Sequence, residues 1–376
     1  MLRLPFQPSV ILVALVSAGC GSTSGASAIV DDDGSPQSPG QAVVDGGADG
    51  TLDLGADAAS APTNDASDAD AAAGDAQGVR DGGGADAGSP RRSPGCTSHA
   101  PATSGTVSLT YGGTSRTYIL HVPAGAPSGA RPLVINMHGY TGSASQQEGL
   151  TAMDGVADQA GFFVAYPNGE GSPTDWNAGA CCSAASEGDR DDEGFLGAVI
   201  DDIAAKSCVD LARVYSCGFS NGGMMTYRLG CEVSARFAAI ASVSGSAAIP
   251  LDTCTPVHPM PLMHVHGNAD PLVPYDGGPG GLPLSGRATP IFPAAADEVA
   301  AFRTKDGCPS ASDVYFDSGN AHCDHWGPCQ GGSEVVFCTV NQGGHAWPGG
   351  TGSSSESSSL DATQAIWTFF QKHALP

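Results

Sequence analysis

From Cys96 to Pro376, apolar runs of strand length alternate with segments of helical period, and this alternation restricts the fold more than any other feature of the chain. "TVSLTY" and "SRTYILHVP" read as two strands around the turn at Gly112-Gly113. "RPLVINMHG" is a continuous apolar run closed by a glycine, as a strand buried on both faces is. "GLTAMDGVADQAG" has helical periodicity, and "FFVAYPNG" is again a strand. In "EGFLGAVIDDIAAK" the side chains of Phe195, Leu196, Val199, Ile200 and Ile203 share one helical face. The strand "RVYSCG" leads into the helix "NGGMMTYRLGCE". "FAAIASVSG" and "MPLMHVHG" are strands before the helix "AAADEVAAFRTKDG", and the strand "SEVVFCTVN" precedes a closing helix, "SLDATQAIWTFFQKHA". An α/β domain is predicted, with a mostly parallel central sheet and helices on both faces. About 280 residues suit one such domain.

The rest of the chain cannot join that core. Residues 1–20 begin with Arg3, continue through the apolar run Val10 to Val16, and end in Ser17, Ala18, Gly19 and Cys20. The run is too short to span a bilayer, so the segment reads as a signal peptide. Cys20 directly after it resembles a bacterial lipobox, in which that cysteine is lipidated, although Ser17 replaces the usual aliphatic residue. Residues 21–95 are built from Ala, Asp, Gly, Ser and Pro, and hold thirteen aspartates against Arg80, Arg91 and Arg92. They offer too little apolar surface to offset ordering entropy, so a disordered, self-repelling tether is expected. Residues 96–376 form the predicted catalytic domain.

Much of the net charge of −24 comes from this tether, so it says little about the domain's ligand. It does argue against nucleic acid, which calls for a basic surface. Eleven of the twelve cysteines follow Cys20. In an exported chain they read as disulfides, with at least one thiol left over. Cys208 with Cys217, Cys308 with Cys329, and Cys323 with Cys338 are candidate pairs. Either of Cys181 and Cys182 could reach Cys231 or Cys254. "HCDHWGPC" could imitate a metal site, but thiols in an oxidising compartment more often pair, so no metal is expected.

Sites in open α/β sheets form beyond the carboxyl ends of the strands. Four strands end in polar residues there: His138-Gly139-Tyr140-Thr141, Phe219-Ser220-Asn221, Asn268-Ala269-Asp270 and Gly343-Gly344-His345. A serine hydroxyl becomes a nucleophile when a base takes its proton. Ser220 sits in Gly-x-Ser-x-Gly between a strand and a helix, a turn that lifts the hydroxyl clear of the sheet. His345 is the candidate base, and Asp270 the acid that holds its tautomer and stabilises its charged form. An oxyanion needs two preset N–H donors; Asn221 offers one, and Tyr140 or Thr141 the other. Gly-x-Ser-x-Gly alone is weak in a chain with 53 glycines; the ordered Ser, Asp and His at strand ends carry the reading. His264 and His266 lie within a strand, where a satisfied core role is expected of at least one.

The block "RVYSCGFSNGGMMTYRLGCE", with "MHGYTGS", "YPNG", "DWNAGACC", "DDEGF", "HVHGNADPLVPYDGG" and "GGHAWPG", resembles the polyhydroxybutyrate depolymerase / feruloyl esterase family of secreted α/β-hydrolases. The likeness runs from about Gly95 to the C-terminus. It implies an α/β-hydrolase fold and hydrolysis of carboxylic esters without a cofactor. It also implies Ser220 as nucleophile, Asp270 as triad acid and His345 as base. The implied substrates are feruloyl or acetyl esters of plant polysaccharide, or hydroxyalkanoate esters. No additional binding domain is recognisable, which favours a soluble or oligomeric ester. Trp176, Tyr275 and Trp347 fall in motif loops, where they would either stack on an acyl group or sugar or pack the loops. The expected protein is a monomer, exported and tethered to a membrane only through Cys20. Two rival readings stay open: a serine peptidase on the same fold, and a non-catalytic surface-binding lipoprotein.

Overall fold

The computed structural model describes residues 91–97, 102–125, 129–182, 190–282, 284, 289–356 and 358–376. The signal peptide, Cys20 and the tether as far as residue 90 lie outside the described residues. All described residues belong to the compact unit Gly78–Pro376; the other unit, Met1–Gln77, lies outside them.

Arg91 to Gly95 are held on the domain rather than free, as the boundary at residue 95 had implied. Arg92 bridges to Asp210, Ser93 N–H donates to Val209 C=O at 3.0 Å, and Cys96 is bonded to Cys208. Backbone pairing fixes these residues, and their composition gave no sign of it.

The chain forms β1 (Gly105–Tyr111), β2 (Thr114–His121), β3 (Arg131–Met137), α1 (Ala144–Thr151), α2 (Met153–Ala160), β4 (Phe163–Pro167) and α3 (Asp192–Lys206). It continues with β5 (Val209–Phe219), α4 (Asn221–Glu232), β6 (Ala239–Val243), β7 (Leu262–Gly267), β8 (Gly278–Pro279), β9 (Ile291–Phe292) and α5 (Ala295–Lys305). Last come β10 (Asp313–Ser318), β11 (Ala321–Trp326), β12 (Val335–Val340), β13 (Trp347–Pro348), β14 (Ser355–Glu356) and α6 (Ala362–Phe370).

The main sheet has the order β1-β2-β4-β3-β5-β6-β7-β12-β11-β10. Its centre, from β4 to β12, is parallel, and antiparallel hairpins flank it on both sides. Strand alternation sends side chains to two layers. Leu133, Ile135 and Met137 of β3 pack with α3, α4 and α5, whereas Val134 packs with α1, α2 and α6. This is the α/β architecture expected, with helices on both faces.

Two local departures have physical causes. The single helix expected over "GLTAMDGVADQAG" is two, because Ala152 turns left-handed (φ 47°, ψ 30°) between α1 and α2. The hairpin β10–β11 was not foreseen, since β10 is a half-exposed edge strand without a clean apolar period.

The cysteines pair as Cys96–Cys208, Cys181–Cys182, Cys231–Cys254, Cys308–Cys329 and Cys323–Cys338. Among the described residues Cys217 is the free thiol and is buried, so its candidate bond to Cys208 does not form. Its side chain enters the layer of α6, while Cys208 is engaged by Cys96. Cys181 and Cys182 bond each other and reach neither Cys231 nor Cys254. The thiols of "HCDHWGPC" are both in disulfides, and no metal-ligating cluster exists among the described residues.

Candidate active site

β5 delivers Ser220, and α4 starts at the next residue. Ser220 itself takes the left-handed backbone, at φ 55° and ψ −120°. Its N–H donates to Val243 C=O at 2.9 Å and its C=O accepts from Met224 N–H at 2.9 Å, so the strained turn is tied at both ends. The flanking glycines serve close approach rather than positive φ. A Cβ on Gly218 would lie 2.4 Å from the carbonyl carbon of Gly222, and one on Gly222 would lie 2.3 Å from the Met137 oxygen. α4 therefore starts in contact with the end of β3, and a Cβ on Gly139 would stand 3.2 Å from the Ser220 Cβ.

Asp270 and His345 arrive from neighbouring strand ends. β7 and β12 pair in parallel, and beyond them Asn268 N–H donates to Val340 C=O and Ala269 N–H to Gly343 C=O. His345 Nδ1–H donates to Asp270 Oδ2 at 2.7 Å. Asp270 Oδ1 accepts from Leu272 N–H (2.8 Å) and Val273 N–H (2.9 Å), and His266 Nε2 lies 3.3 Å from Oδ2. Burial opposes ionisation of Asp270, but hydrogen bonds from His266 and His345 outweigh it and hold the carboxyl well below the usual range. The His345 ring packs on Phe219, the residue before Ser220, with centroids 4.9 Å apart. Ser244, just after β6, donates from Oγ to Ala346 C=O and braces the histidine loop.

Of the donors expected for an oxyanion, Asn221 N–H is the first of α4 and has no intrahelical acceptor. Tyr140 N–H has no acceptor among the described residues, whereas Thr141 N–H donates to Thr174 C=O at 2.8 Å and is not available. Thr141 thus drops out; a left-handed backbone (φ 66°) turns its N–H to the neighbouring loop.

Trp176 and Trp347 are fully buried, which removes both as stacking surfaces for a ligand. Trp176 donates from Nε1 to His138 C=O (2.9 Å), and the Asn221 side chain accepts from Trp176 N–H and donates to its C=O. It joins the loop after β3 to the start of α4. Trp347 donates to Thr363 Oγ1 at 3.0 Å and packs with α6. Tyr275 is half-buried, hydrogen-bonded to Thr339 and stacked on Phe337. His138, buried and pushed down to about 4 by desolvation, accepts Gly169 N–H at Nε2 and so donates from Nδ1 to Gly139 C=O.

Beside the serine turn lies a cleft of about 490 Å³. Tyr140, Phe219, Ser145, Gln146, Thr351 and Ser354 are among its walls, and among the described residues no carboxylate or Lys/Arg cation lines it. Sequence reasoning missed its far wall, since Thr351 and Ser354 look like ordinary loop residues.

Residues 116–302 match the family described as Esterase PHB depolymerase. NocK of Nocardia uniformis subsp. tsuyamanensis, a protein named as an esterase, is 34% identical over 267 residues, covering 67% of this chain and 76% of NocK. The chain belongs to the esterase PHB depolymerase family. This esterase is also 34% identical to feruloyl esterase B of Piromyces equi over 238 residues, which covers 61% of the chain but only 42% of the Piromyces protein. An acetyl xylan esterase from Aspergillus awamori superposes with a TM-score of 0.50 at 16% identity, covering 71% of this esterase and 99% of that chain. That likeness supports the α/β fold. The relatives are carboxylic ester hydrolases, and so is this chain.

Proposed function

We propose that the protein is an exported serine esterase that works through an acyl-enzyme on Ser220. The observation that carries this reading is the positive-φ Ser220 turn at the same sheet edge as the 2.7 Å His345–Asp270 pair. His345 takes the Ser220 proton as the hydroxyl attacks the ester carbonyl, then returns it to the leaving alcohol. Asp270 holds the imidazole with Nδ1–H inward and Nε2 outward. The N–H groups of Asn221 and Tyr140 take the oxyanion. Water activated by His345 then releases the acid, and no step calls for a cofactor.

The substrate proposed is a feruloyl or acetyl ester of plant polysaccharide. Two relatives are named as feruloyl esterase B and as a bifunctional acetylxylan esterase/xylanase. The cleft, whose described walls carry hydroxyls and amides without fixed charge, suits a neutral sugar alcohol. Hydroxyalkanoate esters are the second substrate class, supported by the family description. Five disulfides among the described residues support an oxidising compartment. Lipidation at Cys20 belongs to the same proposal; Cys20→Ser protein that still fractionates with membranes removes it.

The test is hydrolysis of methyl ferulate, acetylated xylan, p-nitrophenyl acetate and amorphous hydroxybutyrate polymer. Ser220→Ala should lower kcat by about 10⁴-fold or more with the fold intact. Surviving activity in that variant overturns the mechanism. Turnover confined to the hydroxybutyrate polymer overturns the polysaccharide-ester reading.

A further inference from the structure

Behind Asp270 runs a line of buried polar groups that the esterase reaction, as derived above, does not use. Tyr227 on α4 has its hydroxyl 2.6 Å from His264 Nδ1. His264 Nε2 is 2.9 Å from His266 Nδ1, and His266 Nε2 is 2.9 Å from Val273 C=O and 3.3 Å from Asp270 Oδ2. Each of these side chains is essentially sealed from solvent. His264 and His266 are two apart on β7, so both rings face the same layer, towards α4 and α5.

The direction of hydrogen bonding follows from one fixed end. A carbonyl only accepts, so His266 Nε2 carries a proton. In the neutral ring Nδ1 then accepts, which obliges His264 Nε2 to donate. His264 Nδ1 is left as an acceptor, and the Tyr227 hydroxyl donates to it. Burial keeps His264 neutral by pushing it well below its usual range, in agreement with that order. Beyond the tyrosine hydroxyl, Glu298 Oε2 on α5 lies 3.9 Å from His264 Nδ1. A proton on His264 Nδ1 would reverse both rings and turn the lone pair of His266 Nε2 onto Val273 C=O and Asp270 Oδ2.

We propose that Tyr227, His264 and His266 are positioning residues, a one-way hydrogen-bond chain whose order is set by the Val273 carbonyl and which holds the His266 ring, with its Nε2–H, against the Asp270 turn and so positions Asp270 for His345. The relay rests on the Ser220–His345–Asp270 reading for its effect on turnover, but its hydrogen-bond order is independent of it. The groups facing it are Glu298 and Tyr227 at the far end, Tyr275 edge-on to His266 at 5.8 Å, and Asp270 with His345 at the near end. His345 donates to Asp270 Oδ2, and His266 Nε2, whose proton points to Val273 C=O, stands 3.3 Å from the same oxygen. Losing the His266 ring from beside Oδ2 leaves more charge on that oxygen for the His345 Nδ1–H.

Two-bond ¹H–¹⁵N spectra of the full protein with labelled histidine test the relay directly. The expected result is His266 protonated at Nε2 and bare at Nδ1, in the parent and equally in Ser220→Ala. In Tyr227→Phe, which keeps the ring packing, His266 should keep that tautomer while the His264 Nδ1 resonance shifts on losing its donor. On a short-chain ester the variant's kcat should fall about tenfold with KM unchanged. His266→Gln, whose amide also donates on one side and accepts on the other, should recover most of the rate that His266→Leu loses. A parent spectrum with His266 protonated at Nδ1 overturns the relay, as does a Tyr227→Phe enzyme with parental kcat. If Ser220→Ala remains active, the nucleophile reading fails, while the tautomer spectra still decide the relay.

Discussion

Ser220 concentrates the local strain of the site in one residue. Its left-handed backbone is held by Val243 C=O on one side and Met224 N–H on the other. Such conformations persist only where the surroundings over-determine them. Trp176 belongs to those surroundings, since it links His138 C=O to the Asn221 side chain. Trp176→Phe keeps most of the apolar volume but leaves the buried His138 carbonyl without its donor, at a cost of about 1–3 kcal/mol. Tyr140, two residues on, should then drift from the position proposed for it as an oxyanion donor. The expected outcome is a lower kcat with little change in KM, read in steady-state assays on p-nitrophenyl acetate. An unchanged kcat would show that this link does not hold the loop. Nothing in the sequence distinguished a tryptophan of this kind from one that stacks on a ligand, because burial is a property of the assembled layers.

At the scale of elements, the site is a junction of β3, β5 and α4. The start of α4 presses on the end of β3 so closely that glycine is the residue that fits at 222. In Gly222→Ala the Cβ would meet the Met137 and His138 carbonyl oxygens at 2.3 and 2.6 Å. Overpacking of this kind costs about 1–3 kcal/mol or more. For a domain of this size each kcal/mol lowers Tm by about 2–4 °C. Thermal unfolding of the variant should show that loss together with a deeper loss of activity, as the α4 N-terminus moves off the β3 loop. A parental Tm would contradict the close approach. The alternation of strands and helices was legible because periods of 2 and 3.6 are written in side-chain polarity. The split at Ala152 and the hairpin β10–β11 were not. An alanine gives no sign of a left-handed turn, and an edge strand need not alternate.

Across the whole molecule, the two layers on the sheet differ in what they bury. The layer holding α1, α2 and α6 is mainly apolar, with Phe162 stacked on Trp367 and Tyr215 on Phe370. The layer holding α3, α4 and α5 also encloses Tyr227, His264, His266 and Glu298. Glu298 Oε1 accepts from Ser246 Oγ and from Ala247 N–H, and burial pushes the carboxyl up to about 8. The folded state therefore keeps a proton that the unfolded chain releases near pH 4.5. That contribution is complete below about pH 4.5 and is lost as pH rises through 8. Asp306, pushed up to about 6 by burial, acts with the same sign over a lower range. Glu298→Gln keeps both accepted hydrogen bonds and cannot ionise. Its Tm should fall less than the parent's between pH 6 and 9, followed by calorimetry. Parallel curves for the two proteins would mean that Glu298 is already charged at pH 6.

The sequence by itself determined the class of fold and the order of Ser220, Asp270 and His345 along it, because hydrophobic period and strand-end position are local properties. It also determined that residues 21–95 lack the apolar surface for a core of their own. Tertiary structure alone decided the partners. It bonded Cys96 to Cys208 and left Cys217 free, closed Thr141 N–H onto Thr174, buried Trp176 and Trp347, and lined up Tyr227, His264 and His266 behind Asp270. Those outcomes depend on which strands become neighbours in the sheet and which layer each side chain enters, and contacts between residues tens of positions apart leave no period in the sequence.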